Sequence, residues 1–557
     1  MQAPKRFFRP LIFSVFAFIF AAQAFYLIRT DSLTNDEPFE ITCGYYYWKA
    51  GDIVVPRVMP PMAAGLEALP LLALNLKSPP AAIDRRERAY LFFAANPGML
   101  QWMTLLPRWV DLLFGLGLGF LLWGACRNRP LPFLLSVLGL WALEPTLIAH
   151  SGLAKSDMAG AFFCFAAVLS FQKSLPDPGR ARCLLTGLLT GWALSTKVSA
   201  IALIPLYVAF EVLFLHQTPI GKKVGTFGQR GARWGWGAIA ALGWISLLYL
   251  PATYLQPAHP FPLASYLDQV ETLFRATRQG AQCFYSLGSA SNQSDPLYLP
   301  VAFFLKIPLP FLVLLGLGVG LAFLKRLVLS PLEWIPVILF YLSAFPASNM
   351  GLRMILPAFP FLILMAAKTA ECLWVDPSLK TRKYSRGLLA ILGIWLPLSL
   401  ASQFPHYLSY ANELVGSAGK AYFFSDSDLD WGQDQIRLSE LARQKGWTHV
   451  KLALFSGLDP HFYGLDWSPW TQKDLEGPQA GWIYLVDAGF LQLGPSYFPE
   501  VLPLARGWAL KAKPSGTLGD TWRYFEVPGV AIEDKSPLLH SAPAYRYYWK
   551  GNSTVFY

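Results

Sequence analysis

The chain has 557 residues, 54% hydrophobic and only 15% charged, where soluble domains carry about 25% charged residues. With its long apolar runs, that deficit excludes an ordinary soluble protein and reads as a polytopic α-helical membrane protein embedded in a lipid bilayer. The net charge of +11 is read as basic anchors in cytoplasmic loops rather than as a nucleic-acid surface, so no nucleic-acid partner is expected.

The N-terminus carries Lys5, Arg6 and Arg9, then an apolar run from Leu11 to Ile28. The run is too long for a signal-peptide core and no small-residue cleavage site precedes Arg29, so a retained first helix is expected. Apolar runs separated by basic turns give eleven expected spans: Phe8–Ile28, Met99–Cys126, Leu131–Ala149, Asp157–Phe171, Cys183–Ser195, Ser199–His216, Trp236–Tyr254, Pro308–Leu324, Trp334–Ala347, Met354–Trp374 and Leu388–Phe404. The pair between Cys183 and His216 is read as two spans. Lys197 and its Ser/Thr neighbours interrupt the run, and the flanking loops, with Arg180 and Arg182 before and Lys222 and Lys223 after, are both basic. Alternate loops hold Lys5/Arg6/Arg9, Arg127/Arg129, Lys173/Arg180/Arg182, Lys222/Lys223/Arg230/Arg233, Lys325/Arg326 and Lys380/Arg382/Lys383/Arg386. The positive-inside rule places these in the cytoplasm with the N-terminus, and the odd span count puts the C-terminal tail outside. The expected location is a membrane crossed many times.

Residues 1–404 then form the membrane part, with outer loops at 29–97 and 255–306. Within the first loop, the short, proline-flanked apolar segment Pro61–Leu76 is expected to lie in the interface rather than to cross. Residues 405–557 change character, with more charge and more turn signals. Val450–Phe455 and Trp482–Val486 read as strands and Ile436–Gln444 as a helix, which together predict an extracytoplasmic α/β domain of about 150 residues. The six cysteines, Cys43, Cys126, Cys164, Cys183, Cys283 and Cys372, include no CxxC. This argues against a zinc site of that type and against a dense disulfide framework, leaving a Cys43–Cys283 bridge as the one open pairing.

Six charged residues sit at the outer ends of spans in apolar surroundings: Asp36, Glu37, Asp157, Lys197, Lys306 and Arg353. An ionisable group at that depth needs a partner or a wet cavity. Acids and bases meeting at one face suit a general base beside a phosphate-binding pocket, with Asp or Glu deprotonating a hydroxyl and Lys or Arg neutralising a leaving phosphate. Unrelated snorkelling or loop residues would give the same local pattern. Asp157 follows Ser156 at the start of a span, where helix capping alone accounts for a carboxylate. His150 and Lys155 lie close enough in sequence to join as substrate-binding residues, or to be plain interface residues. No second histidine lies at ligand spacing from His150. Asp426, Asp428 and Asp430 have the D-x-D-x-D start of a calcium loop, but position six is Trp431 and position twelve Arg437, so the EF-hand frame is incomplete.

In order along the chain, several motifs resemble those of the lipid-carrier-dependent glycosyltransferases of the GT-C fold, in particular the bacterial protein O-mannosyltransferase-like group. The first is Asp36-Glu37 followed by Gly44, Gly51-Asp52 and Pro60-Pro61. It is followed by Leu153 to Asp157, by Gly187 to Lys197 in a G-x-x-x-G span, by Lys306-Ile-Pro308-Leu-Pro310, and by Gly351-Leu-Arg353 leading to Leu356-Pro357. In the tail, Tyr410 to Gly416, Asp426 to Asp434 and Phe455 to Pro460 resemble the outer domain of a bacterial subgroup of these enzymes.

The resemblance implies a sugar donor carried on a polyprenyl phosphate, an inverting displacement, Asp36 as general base with Glu37 beside it, and Asp157 as the second acid. It implies Lys197, Lys306 and Arg353 as residues for the carrier phosphate, and a bacterial inner membrane as the location. It leaves open which member of the Asp36-Glu37 pair acts and whether a divalent cation sits between Asp36 and Asp157. The outer repeat domain of the eukaryotic members is absent, so a protein acceptor does not carry over, and a glycolipid or glycan is an equal candidate. The rival reading is a transporter or flippase of lipid-linked glycans, which would place charges near the bilayer midplane and show symmetric halves. A third is a non-catalytic subunit that presents the tail.

Overall fold

The computed structural model describes residues 4–52, 59–78, 85–217, 220–255, 261–278, 284–291, 293, 295–345, 350–375, 382–416, 419–455, 458–497 and 507–531. Among the described residues the chain is helical up to residue 402 apart from one short hairpin, and mixed beyond it. The elements are α1 (Pro4–Thr30), α2 (Glu37–Ala50), α3 (Met62–Ala68), α4 (Arg85–Ala94), α5 (Leu100–Cys126), α6 (Leu131–Ala142), α7 (Pro145–His150), α8 (Ser156–Ser174) and α9 (Arg180–Leu194). There follow α10 (Leu203–Gln217), α11 (Ile220–Leu255), α12 (Pro262–Arg278), the hairpin β1 (Phe284–Ser286) and β2 (Ser289–Ser291), α13 (Tyr298–Lys306), α14 (Leu309–Phe323), α15 (Pro331–Ala344), α16 (Phe359–Val375) and α17 (Arg382–Ser402).

Each expected span falls on helix. Among the described residues six helices are long and apolar enough to cross a membrane, at Phe8–Thr30, Pro97–Cys126, Val198–Gln217, Arg230–Pro251, Leu352–Val375 and Arg382–Ser402. A seventh arises if α13 and α14, bent by 110° across Ile307-Pro308, count as one. The protein is thus a polytopic helical membrane protein. One expectation needs correction. The run Leu131–Ala149 is two helices, because Pro145 disfavours a helical residue before it and Glu144 instead caps α7, accepting from the Leu147 amide at 2.7 Å. The segment Pro61–Leu76 forms a short helical stretch, Met62–Ala73, that buries Met62, Ala63, Ala64, Ala68 and Leu71 within the protein. The break at Lys197 is as expected: α9 ends at Leu194 and a short 3₁₀ turn, Val198–Ala202, starts α10.

Close helix packing follows from small residues. A Cβ on Gly187 of α9 would come within 2.1 Å of the Gly237 carbonyl oxygen of α11, so only glycine lets these backbones touch. The basic loops gather at one end. Arg9 bonds the carbonyls of Arg127 and Arg129, Arg129 pairs with Glu371 at 2.7 Å, and Arg382 bonds the Trp374 carbonyl. At the other end of α1, Asp31 pairs with Arg437 of the tail.

The tail contains α18 (Lys420–Phe423), α19 (Gln435–Lys445), α20 (Gln472–Glu476), α21 (Ala488–Tyr497) and α22 (Trp508–Lys511) around a five-stranded sheet. The strands β3 (Val450–Ala453), β4 (Ser468–Pro469), β5 (Ile483–Asp487), β6 (Gly516–Leu518) and β7 (Trp522–Glu526) lie in the order β4-β3-β5-β7-β6. β3 runs parallel to β4 and β5, with Val450 opposite Ile483, and β7 runs antiparallel to β5 and β6. The strands at 450 and 483 and the helix at 435 match the sequence reading. One face of the sheet packs Trp470, Tyr484, Val486 and Phe525 against Trp508; the other packs Leu452, Leu485 and Trp522 against Leu438 and Ala442 of α19. Before the sheet begins, Tyr407, Leu408 and Trp431 are buried in the core of the helical part. Cys43 is buried, and Cys283 lies outside the described residues.

Candidate active site

Two neighbouring acids at the start of α2 have opposite surroundings. Glu37 is fully buried. It takes two hydrogen bonds from Arg108, each 2.7 Å, and the amides of Thr34 and Ala154, each 2.8 Å. Arg108 spends its remaining N–H groups on the carbonyls of Ile28, Asp31 and Ser32. A guanidinium and a carboxylate this deep hold only when every donor is met, and here all five are. The pair ties the loop before α2 to α5 and to the turn before α8. Asp36 caps α2 at the same point, but its side chain is 37% exposed.

Around Asp36 stand buried cations from three other segments. Lys155, in the extended turn between α7 and α8, reaches Asp36 at 3.1 Å and also pairs with Glu40. Arg353 lies in a 3₁₀ turn, Leu352–Ala358, that opens on Gly351 at φ 96°. A Cβ there would meet Ser427 Oγ at 2.6 Å, so the turn requires glycine. The Arg353 guanidinium is 3.5 Å from Asp157 and 3.9 Å from Asp36, standing between the two acids. Lys197, the residue at the break between α9 and α10, pairs with Asp157. Lys155, Lys197, Arg353, Asp157 and Glu40 are all at most 6% exposed. Burial alone would depress the Lys155 ammonium, but Asp36 and Glu40 more than offset it and hold its pKa above the usual value. Burial raises Glu40, against the pull of Lys155.

The tail supplies the wall of this cluster. Trp431, buried, lies 4.3 Å from the Arg353 guanidinium carbon and 5.6 Å from Lys155 Nζ, a cation–π contact to both. Its carbonyl accepts from the Asn35 amide at 2.8 Å, which joins the tail to the residue before Asp36.

The sequence-predicted residues therefore divide. Asp36, Lys155, Asp157, Lys197 and Arg353 are brought together. Glu37 is adjacent but saturated by Arg108. His150 is buried with its ring 6.4 Å from that of Trp431, and burial followed by the neighbouring cations lowers its pKa to about 3, so it stays neutral at physiological pH. Lys306 sits at the α13–α14 bend, where it donates to the carbonyls of Leu408 and Asp428 at 2.8 and 2.6 Å. It secures the tail to the bend. Sequence reasoning missed Glu40, Arg108 and Trp431. Glu40 is one helical turn from Asp36 on the same face, and Arg108 is a charge inside an apolar span; both signals were readable.

Among the described residues no group of three or more His, Cys, Asp or Glu side chains is placed to hold a metal ion. The position between Asp36 and Asp157, where a divalent cation would bridge, faces Arg353 instead, so these residues do not fit a bridging metal. The aspartates of the incomplete calcium loop also point to separate partners. Asp428 accepts from Tyr298 and the Leu352 amide, and Asp430 from the amides of Gly432 and Gly489.

These features define a class: a polytopic membrane protein with a mixed-sheet tail and a buried, charge-balanced cluster at the end of the bundle where the tail sits. Among solved structures the chain is similar to ArnT from Cupriavidus metallidurans bound to undecaprenyl phosphate, at 11% identity over 87% of this chain and 94% of that one, TM-score 0.48. It is likewise similar to the apo state of that protein, at 13% identity over the same shares, TM-score 0.46. No protein-family model and no curated protein matches the chain. Likeness this shallow leaves function to be argued from the site.

Proposed function

We propose that the chain is a GT-C-type membrane glycosyltransferase that moves a sugar, of hexosyl or mannosyl type, from a polyprenyl-phosphate carrier to an acceptor on the outer face of a bacterial inner membrane. The observation that carries this reading is Asp36: an exposed carboxylate held between two buried cations, Lys155 and Arg353, at the end of the bundle. The paired cations fix its carboxylate, whose oxygens are able to accept a proton. An acceptor hydroxyl attacks the anomeric carbon and gives its proton to Asp36. The bond from that carbon to the phosphate oxygen breaks, its electron pair leaving with the phosphate. Arg353 and Lys155 neutralise the growing negative charge, and Asp157, fixed by Lys197, holds Arg353 in place. One displacement with no enzyme-linked intermediate inverts the anomeric centre. Glu37 and Lys306 act as positioning residues, through Arg108 and the tail respectively. The acceptor is a protein Ser/Thr, a glycolipid or a surface glycan. The N-terminus and basic loops lie in the cytoplasm, and the tail outside.

The test is a transfer assay in nanodiscs with radiolabelled sugar on short polyprenyl phosphates and membrane extract as the acceptor pool. Transfer by wild type with loss in Asp36→Asn at unchanged folding supports the reading; full transfer in Asp36→Asn, Lys155→Met and Arg353→Met would refute it. One observation favours the transporter reading, the 110° break between α13 and α14, since discontinuous helices line transporter sites. That reading predicts carrier movement across the bilayer without transfer, which the same vesicles report.

A further inference from the structure

Between Ser425 and Asp428 the tail crosses the cluster, and three of its four side chains are tied down. Ser425 Oγ donates to the Tyr285 carbonyl at 3.0 Å, Ser427 Oγ to the Met350 carbonyl at 2.8 Å, and Asp428 accepts from Tyr298 at 2.9 Å. Asp426 stands between them. Its side chain has no hydrogen bond among the described residues, its residue is half-buried, and the charged groups around it are Arg353 and Asp36, then Asp428 and Lys155. Its backbone is left-handed, at φ 49°. That conformation is uncommon away from glycine. Aspartate tolerates it better than most residues, but asparagine does so at least as well and brings no charge into a buried site that already holds Asp36 and Asp157. The residue thus bears a strained backbone and a poorly solvated carboxylate at once. Burial, with Asp36 and Asp428 adding to it against Arg353, raises its pKa to about 6. Costs of this kind persist where a site uses them.

We infer that Asp426 is a sugar-binding residue, contributed by the tail, whose free carboxylate accepts hydrogen bonds from hydroxyl groups of the donor sugar. The inference rests on the glycosyltransferase reading. The geometry supports it: a phosphate on Arg353 and Lys155 and an acceptor at Asp36 leave the sugar between them, and the two residues after Asp426 bond the Met350 carbonyl and the Leu352 amide, which sets Asp426 beside the turn that carries Arg353.

The experiment compares binding of bare polyprenyl phosphate with mannosyl and glucosyl polyprenyl phosphate, using full-length protein in nanodiscs, alongside thermal unfolding. Wild type should bind one sugar-bearing carrier about tenfold more tightly than the bare one, the effect of a hydrogen bond to a charged group. In Asp426→Asn that preference should vanish, with bare-carrier binding unchanged and the unfolding temperature equal or higher. Arg353→Lys should weaken both carriers together. Preference retained in Asp426→Asn overturns the inference, as does wild type showing no preference for either sugar while it binds the bare carrier. If wild type binds no carrier at all, the glycosyltransferase reading fails and takes the inference with it.

Discussion

The two ends of the helical bundle both bury ionised groups, and the contrast between them locates the chemistry. Away from the tail, Glu211 of α10 pairs with Arg230 at 3.1 Å and with Arg233 of α11, and each side chain is at most 9% exposed. Arg233 also bonds the Leu175 carbonyl at the end of α8, and the rings of Phe214 and Phe171 lie against Arg230 and Arg233, so the trio joins three helices in a closed cluster. Beside the tail, the same residue types meet in the same way, yet Asp36 keeps over a third of its side chain open. A closed ion cluster can only brace; one with an accessible carboxylate can exchange a proton with a substrate. The pair of adjacent acids repeats the lesson on a smaller scale, with Glu37 closed by Arg108 and Asp36 open.

The contrast yields graded predictions. The largest effect is expected from Asp36→Asn, a loss of about 10²- to 10⁴-fold in transfer with no change in thermal unfolding, because the proposed general base is removed while Lys155 keeps Glu40 and Arg353 keeps Asp157. Glu37→Gln and Glu211→Gln should cost stability instead. The first leaves Arg108, and the second Arg230 and Arg233, without a carboxylate partner, for about 3 kcal/mol in each variant, read as a lower unfolding temperature in detergent. Transfer per folded molecule should persist in Glu211→Gln; its loss at unchanged stability would erase the distinction between the two ends. Trp431→Leu is smaller, about tenfold in kcat/KM, since Arg353 and Lys155 lose the ring that orients them but keep their carboxylate partners. A wild-type unfolding temperature with normal kinetics would show that the ring is only filler.

The smallest effect concerns pH. Asp426 titrates at about 6, above its ordinary value because of burial. It is charged at pH 7 and loses that charge as the pH falls below about 6, so donor affinity should fall there, and the fall should be absent in Asp426→Asn. Stability moves the other way. A raised folded-state pKa favours the protonated form, so this group's contribution is fully present below about pH 4 and is lost as the pH rises through 6. A profile for Asp426→Asn that matches wild type would assign the acid limb to another of the facing groups, Asp36 first.

What the sequence disclosed follows from what each residue must do locally. Lys197, Lys306 and Arg353 sit where an apolar run stops, so their charge and the break announce each other. Strand and helix in the tail showed as short apolar runs and a periodic segment. Arg108 lies within a run hydrophobic enough to hide one charge, and its partner is 71 positions away. The break at Glu144-Pro145 was masked by leucine on both sides. Trp431 was visible only as part of an aspartate-rich motif, because nothing local says that its ring will face Arg353, 78 residues earlier, and Lys155.

The position of Trp431 has a consequence for biogenesis. The charges it covers come from residues 155 and 353, and the aromatic wall is made only after both of them. A ribosome that has threaded every helix into the bilayer has still not finished the site. Until the segment at 431 arrives and the Asn35 amide takes its carbonyl, Arg353 and Lys155 stand without their cover. Completion of this face therefore waits for the tail, and a nascent chain halted after α17 would hold its helices but not the aromatic cover.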